Sequence, residues 1–408
     1  LNLIPASNMK LITSLNGLWK LGPDYRFRTR VYTDGAIEGS VLKGNLLVEG
    51  SGDPAIYTPD REKFSPNFFE SLTASLLSSG IRSVEGGLLL LPGRNPYEGI
   101  RNDWAWMDIG NYYGAGIYSL NINENQYGLN FEATRTGGQG ELKNTDSLTD
   151  VSVETTAVET TSTDGFDLAY VYWVPGAARV RVSGSLPART GLQKVKGSMQ
   201  NPALVFGAAM SQTLRKAGII ISGRQFPPGT GRRLLFEHAG PPLSGIVREV
   251  NLVSNNLMTE SIAYALAGER SRCDENGWTH LEEFARAVQC PPGYYLADGS
   301  GLSLTNRLSP DALCRALIWA RKQPFFQVFR QSLPVAGESG TLKKYCLKAK
   351  GRLRAKSGTL NRTLCYSGYA GTDGRELVFS IMINNYSGGF KNMKAELEKV
   401  MEGLVTIH

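Results

Sequence analysis

Histidine is scarce in this chain. Three occur in 408 residues, His238, His280 and His408, and none stands at ligand spacing from another. That scarcity argues against a Ser-His-Asp triad and against a histidine-based zinc site, both of which need imidazole. Cysteine is nearly as sparse: Cys273, Cys290, Cys314, Cys346 and Cys365 all lie in the last third, with no Cys-x-x-Cys pair. An odd count leaves at least one thiol free. Cys273 and Cys290 are candidates for a bridge in an oxidising compartment, with unpaired core thiols as the alternative. No metal and no cofactor is expected.

Long apolar runs are missing as well. The run Leu88 to Leu91 sits between a glycine and a proline and is far too short to span a membrane. No signal peptide is seen, and only six residues precede the first motif, so a mature or truncated form is expected. Basic blocks are absent beyond the short cluster Lys348 to Arg354, and no nucleic-acid motif accompanies it. No nucleic-acid partner is therefore expected. The net charge of +7 and pI near 9.0 suit an anionic polymer or a carboxylate substrate, and solvated surfaces account for them equally.

What is present begins at Pro5-Ala6-Ser7-Asn8-Met9-Lys10. A serine and a lysine three apart on a helix share a face, and a neutral lysine amine can serve as base for the serine hydroxyl. Alone, the pair is equally an ordinary polar helix start. It becomes a nucleophile only if partners appear downstream.

With 41% hydrophobic and 20% charged residues the composition is that of a globular protein, and 408 residues predict two or three domains. Apolar periodicity predicts a helix from Ser7 to about Leu21. An Arg-rich strand follows from Phe27 to Tyr32. Two similar Gly-x-Leu-Leu strands, near Leu46 and Leu88, flank a helix over about 66–79 and are expected to be sheet neighbours. Residues 100–190 read as a β-rich insertion of short strands and loops. Its aromatics could contact glycan or peptide, or simply pack. Asn201-Pro202 opens another helix. Further helices flank Val253 to Asn256, span Trp278 to Val288, and start at Ser309-Pro310. Three strands (352–360, 363–371, 376–384), with an Asp373-Gly374 turn between the last two, precede a closing helix over 390–404.

Active-site serine enzymes that react with penicillin carry Ser-x-x-Lys, Ser-Asp-Asn and Lys-Thr-Gly. In the same order stand Ser7-x-x-Lys10, Ser254-Asn255-Asn256 and Lys356-Ser357-Gly358, the last followed by Thr359. Ser-x-Asn also occurs at Ser14, Ser65 and Ser119. Only Ser254 falls between two helices and ahead of the Lys-Ser-Gly strand.

On these motifs the chain resembles the class C low-molecular-mass penicillin-binding proteins of the penicillin-binding protein 4 type, which are D-alanyl-D-alanine carboxypeptidases and endopeptidases. The likeness extends to Gly50-Ser51-Gly52-Asp53-Pro54, Tyr112-Tyr113-Gly114-Ala115, Asn121 to Asn125, Asp298 to Ser303 and Gly337 to Leu342. The long interval from Ser7 to Ser254 leaves room for the large insertion of that class, which β-lactamases lack.

The resemblance implies an α/β (α+β) fold: a β-lactamase/transpeptidase-like domain with an antiparallel sheet flanked by helices. Residues 1–35 and 237–408 would form it. Residues 36–99 and 191–236 would form an inserted second domain, carrying a nested β-rich third domain over 100–190. Ser7 would attack a terminal D-Ala-D-Ala carbonyl with Lys10 as base, and Ser254 would relay the proton. Asn256 would hold Lys10 and the substrate amide. Lys356 would orient Ser254 and attract the terminal carboxylate, which Ser357, Gly358 and Thr359 would bind. The backbone N–H groups of Ser7 and Thr359 would form the oxyanion hole.

Implied partners are peptidoglycan stem peptides and β-lactam antibiotics as covalent inhibitors, in a periplasmic or other extracytoplasmic setting with peripheral envelope association. The alternatives are a β-lactamase or esterase on the same scaffold, or a catalytically silent envelope-binding protein. Ser357 replaces the commoner threonine and keeps its hydroxyl. The family places sheet strands ahead of the Ser-x-x-Lys helix, so the catalytic sheet is expected to present an unpaired edge.

Overall fold

The computed structural model describes residues 1–58, 67–93, 98–145, 151–163, 165–177, 179–224, 226, 229, 231–268, 273–274, 277–371 and 375–406. The helix that follows Ser7, Met9–Lys20, is buried from Met9 to Leu18, its polar residues Lys10, Thr13, Ser14 and Asn16 included. Three further helices enclose it. Met9, Leu11, Ile12, Leu15 and Leu18 are buried together with Val247, Met258, Ile262, Leu313 and Leu317 from helices Leu243–Leu252, Asn256–Ala267 and Pro310–Ala320. Ser309 caps the last of these, accepting from Ala312 N at 3.1 Å.

An antiparallel sheet of Leu353–Leu360, Thr363–Ala370 and Leu377–Asn384 lies against this helical layer. Its middle strand is buried on both faces. Cys365 and Tyr369 face the helical core, while Leu364 and Tyr366 face a second core with Leu397 and Met401 of the helix Phe390–Leu404. The period-two alternation thus serves two apolar layers. Among the described residues the outer strands are Leu353–Leu360 and Leu377–Asn384.

The chain leaves and re-enters this body along two paired strands, Arg26–Thr33 and Arg233–Pro242. Phe27, Thr29, Val31 and Thr33 point inward and the arginines outward. Leu46–Glu49 pairs with Arg26–Thr33, and Leu88–Leu90 lies parallel beside it, so the twin leucine strands are neighbours. Among the described residues the β-rich part holds two three-stranded sheets. One orders Leu192–Ser198, Gln126–Glu132 and Glu141–Thr145; the other orders Tyr170–Tyr172, Arg179–Pro187 and Ser152–Thr161. One apolar cluster, including Val48, Phe68, Leu129, Val182 and Phe206, runs through all of it.

Cys290, Cys314, Cys346 and Cys365 are thiols. The side chain of Cys273, the Asp373-Gly374 turn and His408 fall outside what is described. Among the described residues no helix is long and apolar enough to cross a membrane.

Candidate active site

Pro5 leads into a short 3-10 turn, Ala6–Asn8, which continues as the Met9–Lys20 helix. Ala6 adopts φ +46°, a conformation that L residues rarely tolerate. Two glycines let other segments press against this turn. Gly301 has φ +80°, and a Cβ there would fall 1.8 Å from the Ala6 carbonyl oxygen. A Cβ on Gly358 would fall 3.0 Å from the Ser7 nitrogen. The Lys-Ser-Gly strand therefore runs close beside the Ser7 turn.

The first motif is assembled in space. Lys10 is fully buried, and its Nζ lies 3.0 Å from Ser7 Oγ, 2.6 Å from Asn256 Oδ1 and 2.6 Å from the Ser300 carbonyl oxygen. Ser254 sits between helices with φ +62°, and Asn255 caps the following helix by accepting from Met258 N at 2.9 Å. Lys356, also fully buried, donates to Ser254 Oγ at 2.9 Å and to the Ser357 carbonyl at 2.8 Å. Ser7, Lys10 and Asn256 thus form one hydrogen-bonded group and Ser254 and Lys356 a second, the two lying near enough for the Lys10 charge to act on Lys356. Gly358 is buried beside Ser7, Thr359 is exposed on the strand, and Ser357 Oγ donates to Thr341 Oγ1 at 2.8 Å.

Burial sets the electrostatics. It drives the Lys10 amine down to about 7, against the opposing charges of Asp298 and Glu260. Lys356 is pushed well below the usual lysine range by burial and then by the neighbouring Lys10 charge. Glu260 is raised to about 8 by burial and by Asp298. It accepts from the backbone N–H of Ser300 at 2.7 Å, and Asp298 accepts from Gly301 N and Ser303 N, each at 2.7 Å. The Asp298–Ser303 loop is thereby fixed beneath Lys10.

Sequence reasoning missed the Ser300 carbonyl, Glu260 and Thr341. Glu260 carried a signal, being the one charged residue on its helix, one turn beyond Asn256. The Ser300 contact carried none, because a backbone carbonyl has no residue signature. A cavity of about 470 Å³ opens beside Ser254, Asn255 and Asn256 and is walled opposite by Tyr112, Glu124 and Lys196. Among the described residues no group of three His, Cys, Asp or Glu side chains is arranged to hold a metal ion.

The D-alanyl-D-alanine carboxypeptidase of Actinomadura sp. (strain R39) is 29% identical over 406 residues, covering 95% of this chain and 74% of its own. The D-alanyl-D-alanine carboxypeptidase DacB of Haemophilus influenzae is 23% identical over 403 residues, covering 95% and 81%. The crystal structure of penicillin binding protein 4 from Haemophilus influenzae superposes with a TM-score of 0.79 at 22% identity, covering 99% of this chain and 90% of that one. The architecture is accordingly the transpeptidase-like α/β fold. Residues 1–406 match the model of one peptidase family, and the chain belongs to the D-Ala-D-Ala carboxypeptidase 3 (S13) family of serine hydrolases.

Proposed function

We propose that the chain cleaves the terminal D-Ala-D-Ala bond, or D-Ala crosslinks, of peptidoglycan stem peptides through an acyl-enzyme on Ser7, outside the cytoplasm. One observation carries this reading. A neutral lysine amine has two N–H donors and one lone pair. Asn256 Oδ1 and the Ser300 carbonyl are two acceptors at 2.6 Å, which leaves the lone pair of Lys10 to Ser7 Oγ at 3.0 Å. Held near 7 by burial, the amine is substantially neutral at physiological pH. Lys10 takes the proton as Ser7 Oγ bonds to the D-Ala carbonyl carbon. The C–N bond then breaks, and the proton that Lys10 took from Ser7 returns by way of Ser254, bridged to Lys356, to the leaving amine. Water hydrolyses the ester and restores Ser7.

Asn256 orients Lys10, and Lys356 attracts the terminal carboxylate toward Ser357, Gly358 and Thr359. The N–H groups of Ser7 and Thr359 receive the oxyanion, where one such donor is worth roughly 3 kcal/mol in another serine enzyme. β-Lactams acylate the same serine. The division into a catalytic domain (1–35, 237–408), an inserted domain (36–99, 191–236) and a nested β-rich domain (100–190) is part of the same reading. Of the two paired strands, Arg233–Pro242 runs across the second crossing and Arg26–Thr33 ends just before the first.

Mass spectrometry after incubation with a penicillin tests the proposal. A stable adduct on the peptide containing Ser7 is expected. Rapid turnover of the drug would make the chain a β-lactamase, and the absence of any adduct would falsify the enzymatic reading.

A further inference from the structure

The insertion is bonded to the catalytic motif itself. Two residues of the Ser254-Asn255-Asn256 turn are held from outside the catalytic body. The Asn256 side-chain nitrogen donates to the Tyr113 carbonyl at 2.7 Å, which turns its oxygen toward Lys10. The Asn255 side-chain nitrogen donates to Glu124 Oε2 at 2.6 Å, while its oxygen caps the following helix. Asn255 therefore joins three things: the catalytic turn, the helix bearing Asn256, and the insertion.

The segment that carries Glu124 is built at a cost. Asn123, Glu124 and Asn125 have φ of +51°, +52° and +51°, three consecutive left-handed residues with no glycine among them. Such strain persists only where the surroundings over-determine it. Here the fully buried Asn125 does so: it accepts from Ile122 N at 3.0 Å and donates to the Gly116 carbonyl at 2.9 Å and to Asn121 Oδ1 at 2.7 Å. The outcome of this scaffolding is a carboxylate, itself only 8% exposed, aimed at the middle residue of the catalytic turn. Ser254, next to that residue, is likewise in the left-handed region.

We propose that Glu124 is a positioning residue of the insertion, holding the Ser254-Asn255-Asn256 turn in the geometry that serves Lys10 and Lys356 through its hydrogen bond to Asn255. This rests on the reading of Ser7 as the acylated nucleophile. The insertion is then part of the catalytic apparatus and not only an appended module.

The experiment is a second-site rescue, read as the rate constant of Ser7 acylation by a fluorescent penicillin, with thermal melts run in parallel. Asn255→Asp keeps the helix cap but sets two carboxylates against each other. It is expected to slow acylation by about tenfold or more. Glu124→Gln in the same protein supplies an N–H donor to the new carboxylate and is expected to restore the rate to within about twofold. Undiminished acylation of Asn255→Asp overturns the proposal, as does a double variant as slow as the single one. Failure of the wild type to be labelled would instead strike the reading of Ser7, so the two failures are distinguishable.

Discussion

The surroundings of Ser7 and the inserted region treat charge in opposite ways. Among the described residues the only buried lysines in the chain are Lys10 and Lys356, and the two interact electrostatically. Glu260 and Asp298 are equally inaccessible beneath them. Across the described residues of the insertion, lysines and arginines stay at the surface, as with Lys143 paired to Glu132 and Glu141. Its buried carboxylates are Asp53 and Glu124, of which Glu124 bonds the catalytic turn and Asp53 lies beside Tyr25 and Gly240. Burying an ionisable group opposes folding unless it is paired. The contrast teaches that, among the described residues, lysine is buried only around Ser7, whereas buried carboxylates occur in both regions.

The sharpest way to break that contrast is at Ser7, the proposed nucleophile. Ser7→Ala is expected to reduce both penicillin labelling and D-Ala-D-Ala hydrolysis to background, measured by gel fluorescence and by released D-alanine, with the melting temperature kept. Lys10→Gln comes next, slowing acylation by roughly 10²–10⁴-fold, the usual range for a general base. The wild-type acylation rate should rise with pH through about 7, as the amine loses its proton, and the variant should lack that rise.

The stability sign is also fixed. A lysine that is protonated in the unfolded chain up to its ordinary range but only below about 7 when folded opposes folding fully under acid conditions. Its contribution improves as pH climbs from about 7 toward 10. Lys10→Gln therefore gains stability over the wild type more at pH 6 than at pH 9, which denaturant titrations at the two pH values measure.

Asp53 tests the insertion side. Burial raises its carboxyl to about 7, with Ala55 N at 2.9 Å opposing the shift. The charged form thus destabilises the fold progressively from about pH 4 to 7. Asp53→Asn is expected to add up to about 4 kcal/mol at pH 8 and little at pH 4, by urea unfolding. A gain that does not change with pH would show that the group is not the source. The smallest effect is reserved for a site remote from any buried charge. Asn201 caps the helix Pro202–Lys216 by accepting from Leu204 N at 3.2 Å. Asn201→Ala should cost about 1 kcal/mol and leave the acylation rate unchanged.

Much of this was legible before any coordinates. Ser7 and Lys10 share a helical face by spacing alone, the Asn201-Pro202 and Ser309-Pro310 caps announce their helices, and the twin leucine strands do pair. Other parts obeyed forces that sequence does not display. Ser152–Thr161 lacks an apolar stripe, yet its valines and threonines suit a strand once Arg179–Pro187 lies alongside. The Lys10 environment depends on a carbonyl from a loop almost three hundred residues away. Glu124 reaches Asn255 through three successive left-handed residues, a run that the tolerance of asparagine for this region permits but does not dictate.

The contact between Gly358 and the Ser7 turn has a consequence for when the enzyme can exist. The strand that bears Gly358 comes some three hundred and fifty residues after the Ser7 turn it packs against. Contacts of such long range form slowly, because a large loop must close before they contribute. The packing of the Lys356-Ser357-Gly358 strand against the Ser7 turn is therefore a slow contact to form, and the surroundings of Ser7 are complete only once it has.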